Sequence, residues 1–96
     1  MKLLTQLKEK RNDILRIGAK YGAYNIRVFG SVLHGEDSPE SDVDFLVDLE
    51  PDRSLFDLGG MLIELKNYLK RDVDIVTKNG LHWYIRDRIL EEAQQL

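Results

Sequence analysis

The sequence predicts an α+β protein in which a small mixed β-sheet has helices packed on one side. Three segments place apolar residues at helical spacing, and three short stretches rich in β-branched or aromatic residues lie between them. The resulting order of elements is α-β-β-α-β-α, which is typical of a sheet covered by helices. We interpret residues 1–96 as a single small domain.

Composition limits the classes of function. A hydrophobic content of 43% and a charged content of 32% are those of a globular domain. The formal net charge of −3 argues against direct nucleic-acid binding. The chain has no cysteine and no apolar run of signal-peptide or transmembrane length. We therefore expect a cytoplasmic protein that does not bind membranes.

The first half of the chain reads as a helix, a strand and a long turn. Residues 1–21 carry a helical apolar stripe that Arg11 interrupts, and Gly22 is placed to end the helix. Tyr24 to Phe29 is the first predicted strand. Residues 30–41 contain Gly and Pro at turn positions, so we expect mostly turn, with one helical turn after Ser31.

The second half begins with a strand over residues 42–49. Ser54 and Asp57 form a capping-box pattern, with Asp in place of the usual Glu or Gln, ahead of a leucine stripe that runs to about Lys70. Residues 73–76 form the third predicted strand. The tail from Leu81 shows helical spacing to the end of the chain.

Two carboxylates dominate the second strand. Asp42 and Asp44 project from the same face, where they repel each other and favour a hard divalent cation such as Mg²⁺. Asp74 is a third candidate ligand, preferred over Asp72 because the apolar residues flanking Asp74 place it deeper in the sheet. Asp48 shares the face of Asp42 and Asp44, but we expect it to be solvated near the strand end.

These residues carry a resemblance. Gly30-Ser31, ten intervening residues and then Asp42-Val43-Asp44 resemble the signature of the polymerase-β-like nucleotidyltransferase superfamily. The wider pattern, which extends from Val28 to Asp48, is similar to the minimal nucleotidyltransferase (MNT) family. Val73-Asp74-Ile75-Val76-Thr77 resembles the strand that carries the third carboxylate in that family. The resemblance covers nearly the whole chain and implies a nucleotidyltransferase core.

The resemblance implies an activity and a set of roles. Members of the family commonly act as the antitoxin of a HEPN-domain ribonuclease toxin, which implies a hetero-oligomer, and some transfer AMP from ATP to a tyrosine of that toxin. Gly30 and Ser31 would hold phosphate oxygens, together with the N-terminus of the helical turn after them. Asp42, Asp44 and Asp74 would bind Mg²⁺ or Mn²⁺, between which the sequence does not choose. Asp74 would also accept the proton of the attacking hydroxyl.

Two alternatives remain open at the level of sequence. Many relatives carry arginines in the segment after Gly-Ser, where this chain has Val32 and His34, so one alternative is an antitoxin that neutralises its toxin by binding alone. The other is nucleotidyl transfer to a small molecule or RNA. The absence of an acceptor-binding domain argues against that second alternative.

Overall fold

The computed structural model describes residues 3–34 and 42–96, in which four α-helices and four strands follow one another. The helices are α1 (Leu3–Glu9), α2 (Arg11–Lys20), α3 (Leu55–Leu69) and α4 (Trp83–Glu92). The strands are β1 (Ala23–Phe29), β2 (Val43–Leu49), β3 (Val73–Thr77) and β4 (Gln94–Gln95). None of the helices in these ranges would reach across a membrane.

The four strands form one mixed sheet in the order β3-β2-β1-β4. β1 pairs antiparallel with β2, whereas β3 pairs parallel with β2 after the crossover through α3. The C-terminal end of β1 therefore lies beside the N-terminal ends of β2 and β3. The predicted class, a small mixed sheet with packed helices, is confirmed.

The end of the chain departs from the predicted helix. The helix stops at Glu92, and the following residues form β4, which pairs antiparallel with Arg27 and Val28 of β1. Leu96 donates its backbone N–H to the carbonyl oxygen of Ile26 and is buried. Pairing with the open edge of β1 while burying this terminal leucine satisfies backbone groups that a continued helix would leave at the sheet edge.

The predicted first helix is two helices. The break falls at Lys10, next to Arg11, the polar residue that interrupts the apolar stripe. Arg11 is exposed, whereas Leu7 before the break and Ile14 after it are fully buried. The break therefore coincides with the position at which a charged side chain must stay in water while its neighbours pack on the sheet.

The main core lies between one face of the sheet and helices α1 to α3. Val43, Phe45 and Val47 supply that face of β2, as the alternation of its sequence predicts, and α3 adds Met61 and Leu65. α4 contributes no residue to this cluster. The side chains of α4 therefore lie outside this core.

The predicted capping box at the start of α3 is present. The Ser54 hydroxyl accepts a hydrogen bond from the Phe56 N–H at 3.2 Å, and the Asp57 carboxylate accepts one from the Ser54 N–H at 3.0 Å. This second bond, together with Arg53, holds the pKa of Asp57 below its ordinary value. Local sequence alone thus sets where α3 begins.

Substituting Ser54→Ala should lower the free energy of unfolding by about 1 kcal/mol, because the Phe56 N–H of the first turn loses the hydroxyl that accepts its hydrogen bond. Equilibrium urea denaturation measures this change. Asn67→Ala, at an exposed position of the same helix, is the control and should stay within about 0.5 kcal/mol of the wild type. Equal stability of the Ser54→Ala variant and the wild type would show that the cap contributes nothing.

Candidate functional site

The strand register brings three segments that are distant in sequence together at one end of the strands, where β1 ends and where β2 and β3 begin. Asp44 of β2 pairs with Phe29 at the end of β1 and with Asp74 near the start of β3. The Gly30-Ser31 turn follows Phe29 directly. Asp44 therefore lies between the glycine-serine turn on one side and Asp74 on the other.

Gly30 is required by both its backbone conformation and its contact with Asp44. Its φ of +79° lies in the left-handed region that favours glycine. A Cβ at this position would lie 2.5 Å from Oδ2 of Asp44, closer than real Cβ atoms approach other atoms. Glycine thus allows the turn to press directly against the carboxylate.

Burial and neighbouring like charges both perturb the Asp44 carboxyl group. Burial, followed by the negative charges of Asp74 and Asp42, raises its pKa to about 6. Asp44 itself is half-buried, whereas the other two carboxylates are exposed. The cluster is electrostatically unfavourable as it stands, and a cation placed among the three groups would relieve the repulsion.

The donor set matches a hard divalent ion, because it consists of carboxylate oxygens. In the described residues, no three His, Cys, Asp or Glu side chains are arranged closely enough to hold a metal. Asp42, Asp44 and Asp74 are therefore electrostatic neighbours, but they do not stand in ligating positions. Asp42 and Asp74, whose side chains are exposed, would have to move for the three carboxylates to bind one ion.

The depth expected for Asp74 was wrong. Its side chain is exposed because β3 is an edge strand of the sheet. At an edge strand, apolar residues before and after a position do not show that another element packs over its side chain. The competing Asp72 is also exposed and forms an ion pair with Lys66 at 3.4 Å. The charge of Asp74, in contrast, acts on Asp44.

Asp48 is not the solvated carboxylate that its position near the strand end predicted. It is half-buried and accepts hydrogen bonds from Arg27 at 3.1 Å and from the Asn25 amide at 2.9 Å. Arg27 is only 13% exposed in this pair. Asp48 is therefore a paired structural carboxylate rather than a member of the Asp44 cluster.

The expected helical turn after Ser31 is a single 3-10 turn over Gly30–Val32. A turn this short has little of the dipole that a longer helix would direct at phosphate. Val32 is buried in the main core. The side chain at this position therefore faces the core rather than a ligand.

Sequence reasoning missed a cleft that α4 forms with the Gly30-Ser31 turn. The cleft has a volume of about 330 Å³ and is lined by Phe29, Gly30, Ser31, His34, Ile85, Arg88, Ile89 and Glu92. A contact of 2.5 Å between His34 Nε2 and the Glu92 carboxylate joins its two walls. The spacing of residues 85, 88, 89 and 92 places them on one helical face, a signal that identifies the face but not what it contacts.

Comparison with known proteins identifies the class of enzyme. The model of the nucleotidyltransferase domain matches residues 2–96, so the chain belongs to the nucleotidyltransferase domain family and is a nucleotidyltransferase. A solved structure provisionally described as a minimal nucleotidyltransferase superposes with a TM-score of 0.86 at 40% identity, covering 97% of this chain and 95% of that one. The chain thus has the fold of the minimal members of the family.

Two curated relatives are adenylyltransferases by name. A Methanocaldococcus jannaschii protein, provisionally named protein adenylyltransferase MJ0435, is 37% identical and covers 91% of this chain and 94% of its own length. Protein adenylyltransferase MntA of Thermococcus cleftensis is 40% identical over 77% of this chain and 75% of its own length. A toxin–antitoxin complex with AMP-PNP shares the fold at 22% identity, with a TM-score of 0.73 over 92% of this chain and 70% of that one.

Proposed function

We propose that this protein is a metal-dependent adenylyltransferase that transfers AMP from ATP to a tyrosine hydroxyl of a partner toxin. The observation that carries the proposal is the contact between Gly30 and Asp44, beside Asp74. It joins a turn suited to close phosphate approach to carboxylates suited to divalent ions. Membership of the nucleotidyltransferase domain family and the names of the two curated relatives support it.

The roles of the residues follow from their chemistry. Asp42 and Asp44 would hold the Mg²⁺ or Mn²⁺ that accompanies the triphosphate, and Asp74 would complete the set. The ion would supply charge neutralisation at the reacting phosphate. The backbone N–H groups of Gly30 and Ser31 and the Ser31 hydroxyl would donate hydrogen bonds to phosphate oxygens.

The transfer itself requires one bond to form and one to break. The tyrosine oxygen bonds to the α-phosphorus of ATP, the bond from this phosphorus to the bridging oxygen breaks, and pyrophosphate leaves with the bonding electrons. Asp74 would accept the hydroxyl proton, a role for which its exposed position leaves access to an incoming acceptor. Positioning and charge neutralisation carry most of such a reaction, so a small domain suffices.

The proposed partner is a HEPN-domain ribonuclease toxin in a hetero-oligomer. The fold shared with a toxin–antitoxin complex and the likeness to MntA support this partner. Phe56, Trp83 and Tyr84 are 93%, 74% and 66% exposed. Large exposed aromatic side chains are typical of surfaces that another protein covers.

The structure also supports a second candidate, an antitoxin that neutralises by binding alone. Val32 is buried in the core and His34 contacts the Glu92 carboxylate, so neither side chain is placed to bind phosphate as an arginine would. Such a protein would bind its toxin without modifying it.

Intact-mass spectrometry of the toxin after incubation with this protein, ATP and Mg²⁺ separates the two candidates. We expect the toxin to gain one or more AMP units, and the gain to disappear with the Asp42→Ala/Asp44→Ala variant, because the metal-binding carboxylates are removed. Peptide mapping would then identify the acceptor tyrosine. A stable complex without mass gain would overturn the adenylyltransferase and support the binding-only antitoxin.

A further inference from the structure

We propose that Arg88 of α4 binds the terminal phosphates of the nucleoside triphosphate, so that this helix forms one wall of the nucleotide site. The inference rests on the proposed function and extends it to a residue that the Gly-Ser and Asp-x-Asp signature does not contain. Its basis is the position of Arg88 in the cleft that also contains Gly30 and Ser31.

The cleft and the carboxylate cluster share Gly30. On one side Gly30 abuts the Asp44 carboxylate, and on the other it lines the cleft with Ser31 and Arg88. A triphosphate whose α-phosphate lies at the carboxylates and whose chain crosses the Gly-Ser turn therefore extends towards Arg88. The β- and γ-phosphates, which lie away from the carboxylate cluster, carry most of the negative charge that remains to be neutralised.

Charge balance favours Arg88 for this task. Arg27 is paired with Asp48 and Lys66 with Asp72, and the Glu92 carboxylate in the cleft contacts His34. Across residues 3–34 and 42–96, no ion pair involves Arg88. An arginine in this position presents a planar fork of N–H donors that matches phosphate oxygens.

Packing and a side-chain contact place the backbone of α4 beside the cleft, while the Arg88 side chain itself is exposed. Ile85 and Ile89 are half-buried on the same helical face and line the cleft beside Phe29. The contact between His34 and Glu92 fixes the next turn of the helix against the segment that follows Ser31. The backbone of α4 is therefore already positioned, and phosphate binding would have to order only the Arg88 side chain.

Isothermal titration of ATP with Mg²⁺ tests the inference without any acceptor protein. Arg88→Ala should raise the Kd for ATP by about tenfold or more, whereas the Kd for AMP, which lacks the outer phosphates, should stay unchanged. The Kd of Arg88→Lys for ATP should fall between those of the wild type and Arg88→Ala, because lysine keeps the positive charge but lacks the planar fork of N–H donors. Arg11→Ala, which removes an exposed arginine from α2, should bind ATP as the wild type does.

Three other results would contradict the proposed role of Arg88, the proposed function or both. Equal ATP affinity of Arg88→Ala and the wild type would refute the role of Arg88 and leave the proposed function standing. Parallel losses for ATP and AMP would show that Arg88 does not act on the terminal phosphates. A wild-type protein that binds no ATP would overturn both the proposed function and this inference.

Discussion

Asp44→Asn is expected to reduce AMP transfer by roughly 10²-fold or more, the cost typical of losing one preorganised charge at a reacting centre. The asparagine keeps the shape of the side chain but removes the negative charge that would hold the divalent ion. A quenched-flow or gel assay with labelled ATP and the proposed toxin partner measures the rate. Asp72→Asn is the matched control, since it alters an exposed carboxylate that is paired with Lys66, and it should retain the wild-type rate.

The same substitution should stabilise the metal-free fold at neutral pH. The pKa of Asp44 is raised from 3.8 to about 6 in the folded protein, mainly by burial. Below pH 3.8 the carboxyl group is neutral in both the folded and the unfolded protein, so its burial carries no charge penalty. As the pH rises from 3.8 through about 6, the unfolded protein ionises first, and above about 6 the folded protein carries the full penalty of the buried charge. This difference corresponds to about 3 kcal/mol in full, and solvent screening of the half-buried carboxyl reduces it to roughly 1 kcal/mol.

Thermal unfolding in EDTA checks this expectation. Asp44→Asn should unfold at a higher temperature than the wild type at pH 7.5, and the difference should vanish near pH 4. Added Mg²⁺ should stabilise the wild type more than the variant, since only the wild type keeps the full carboxylate set. A wild-type rate of transfer in Asp44→Asn would remove this carboxylate from the candidate site.

Gly30→Ala is expected to cost roughly 10²-fold in transfer, because small misplacements of reacting groups have effects of this size. The added methyl group would lie 2.5 Å from Oδ2 of Asp44 and would push the carboxylate aside. The φ of +79° adds about 1 kcal/mol of backbone strain, so the free energy of unfolding should fall as well. Steady-state kinetics and urea denaturation measure the two effects separately.

Gly59→Ala provides the control for Gly30→Ala. A Cβ on this glycine of α3 meets no atom within 4 Å, so the substitution should leave transfer unchanged. It should also stabilise the protein by up to about 1 kcal/mol, because alanine favours helix more than glycine does. A Gly30→Ala variant with the wild-type rate would show that the close approach of the turn to Asp44 is dispensable.

Sequence reasoning succeeded where the signal is local. The alternation over residues 42–49 predicts that Val43, Phe45 and Val47 face the core and that Asp44 does not, because a strand has a period of two. Ser54 and Asp57 predict the start of α3 because the capping bonds span only three residues. The pattern of Gly-Ser and Asp-x-Asp predicts the family because its two parts lie close together along the chain, directly after β1 and at the start of β2.

What the sequence determined by itself is therefore the order of the main elements, the buried face of β2, the family and the candidate cluster of Gly30, Ser31, Asp42, Asp44 and Asp74. Only the tertiary structure decided that Asp74 is exposed on an edge strand, that the tail pairs with β1, and that α4 brings Arg88 to the Gly30-Ser31 turn. The physical reason is separation along the chain. Strand order, edge exposure and contacts between distant segments depend on which surfaces pack together, and periodicity within one segment carries no information about its neighbours.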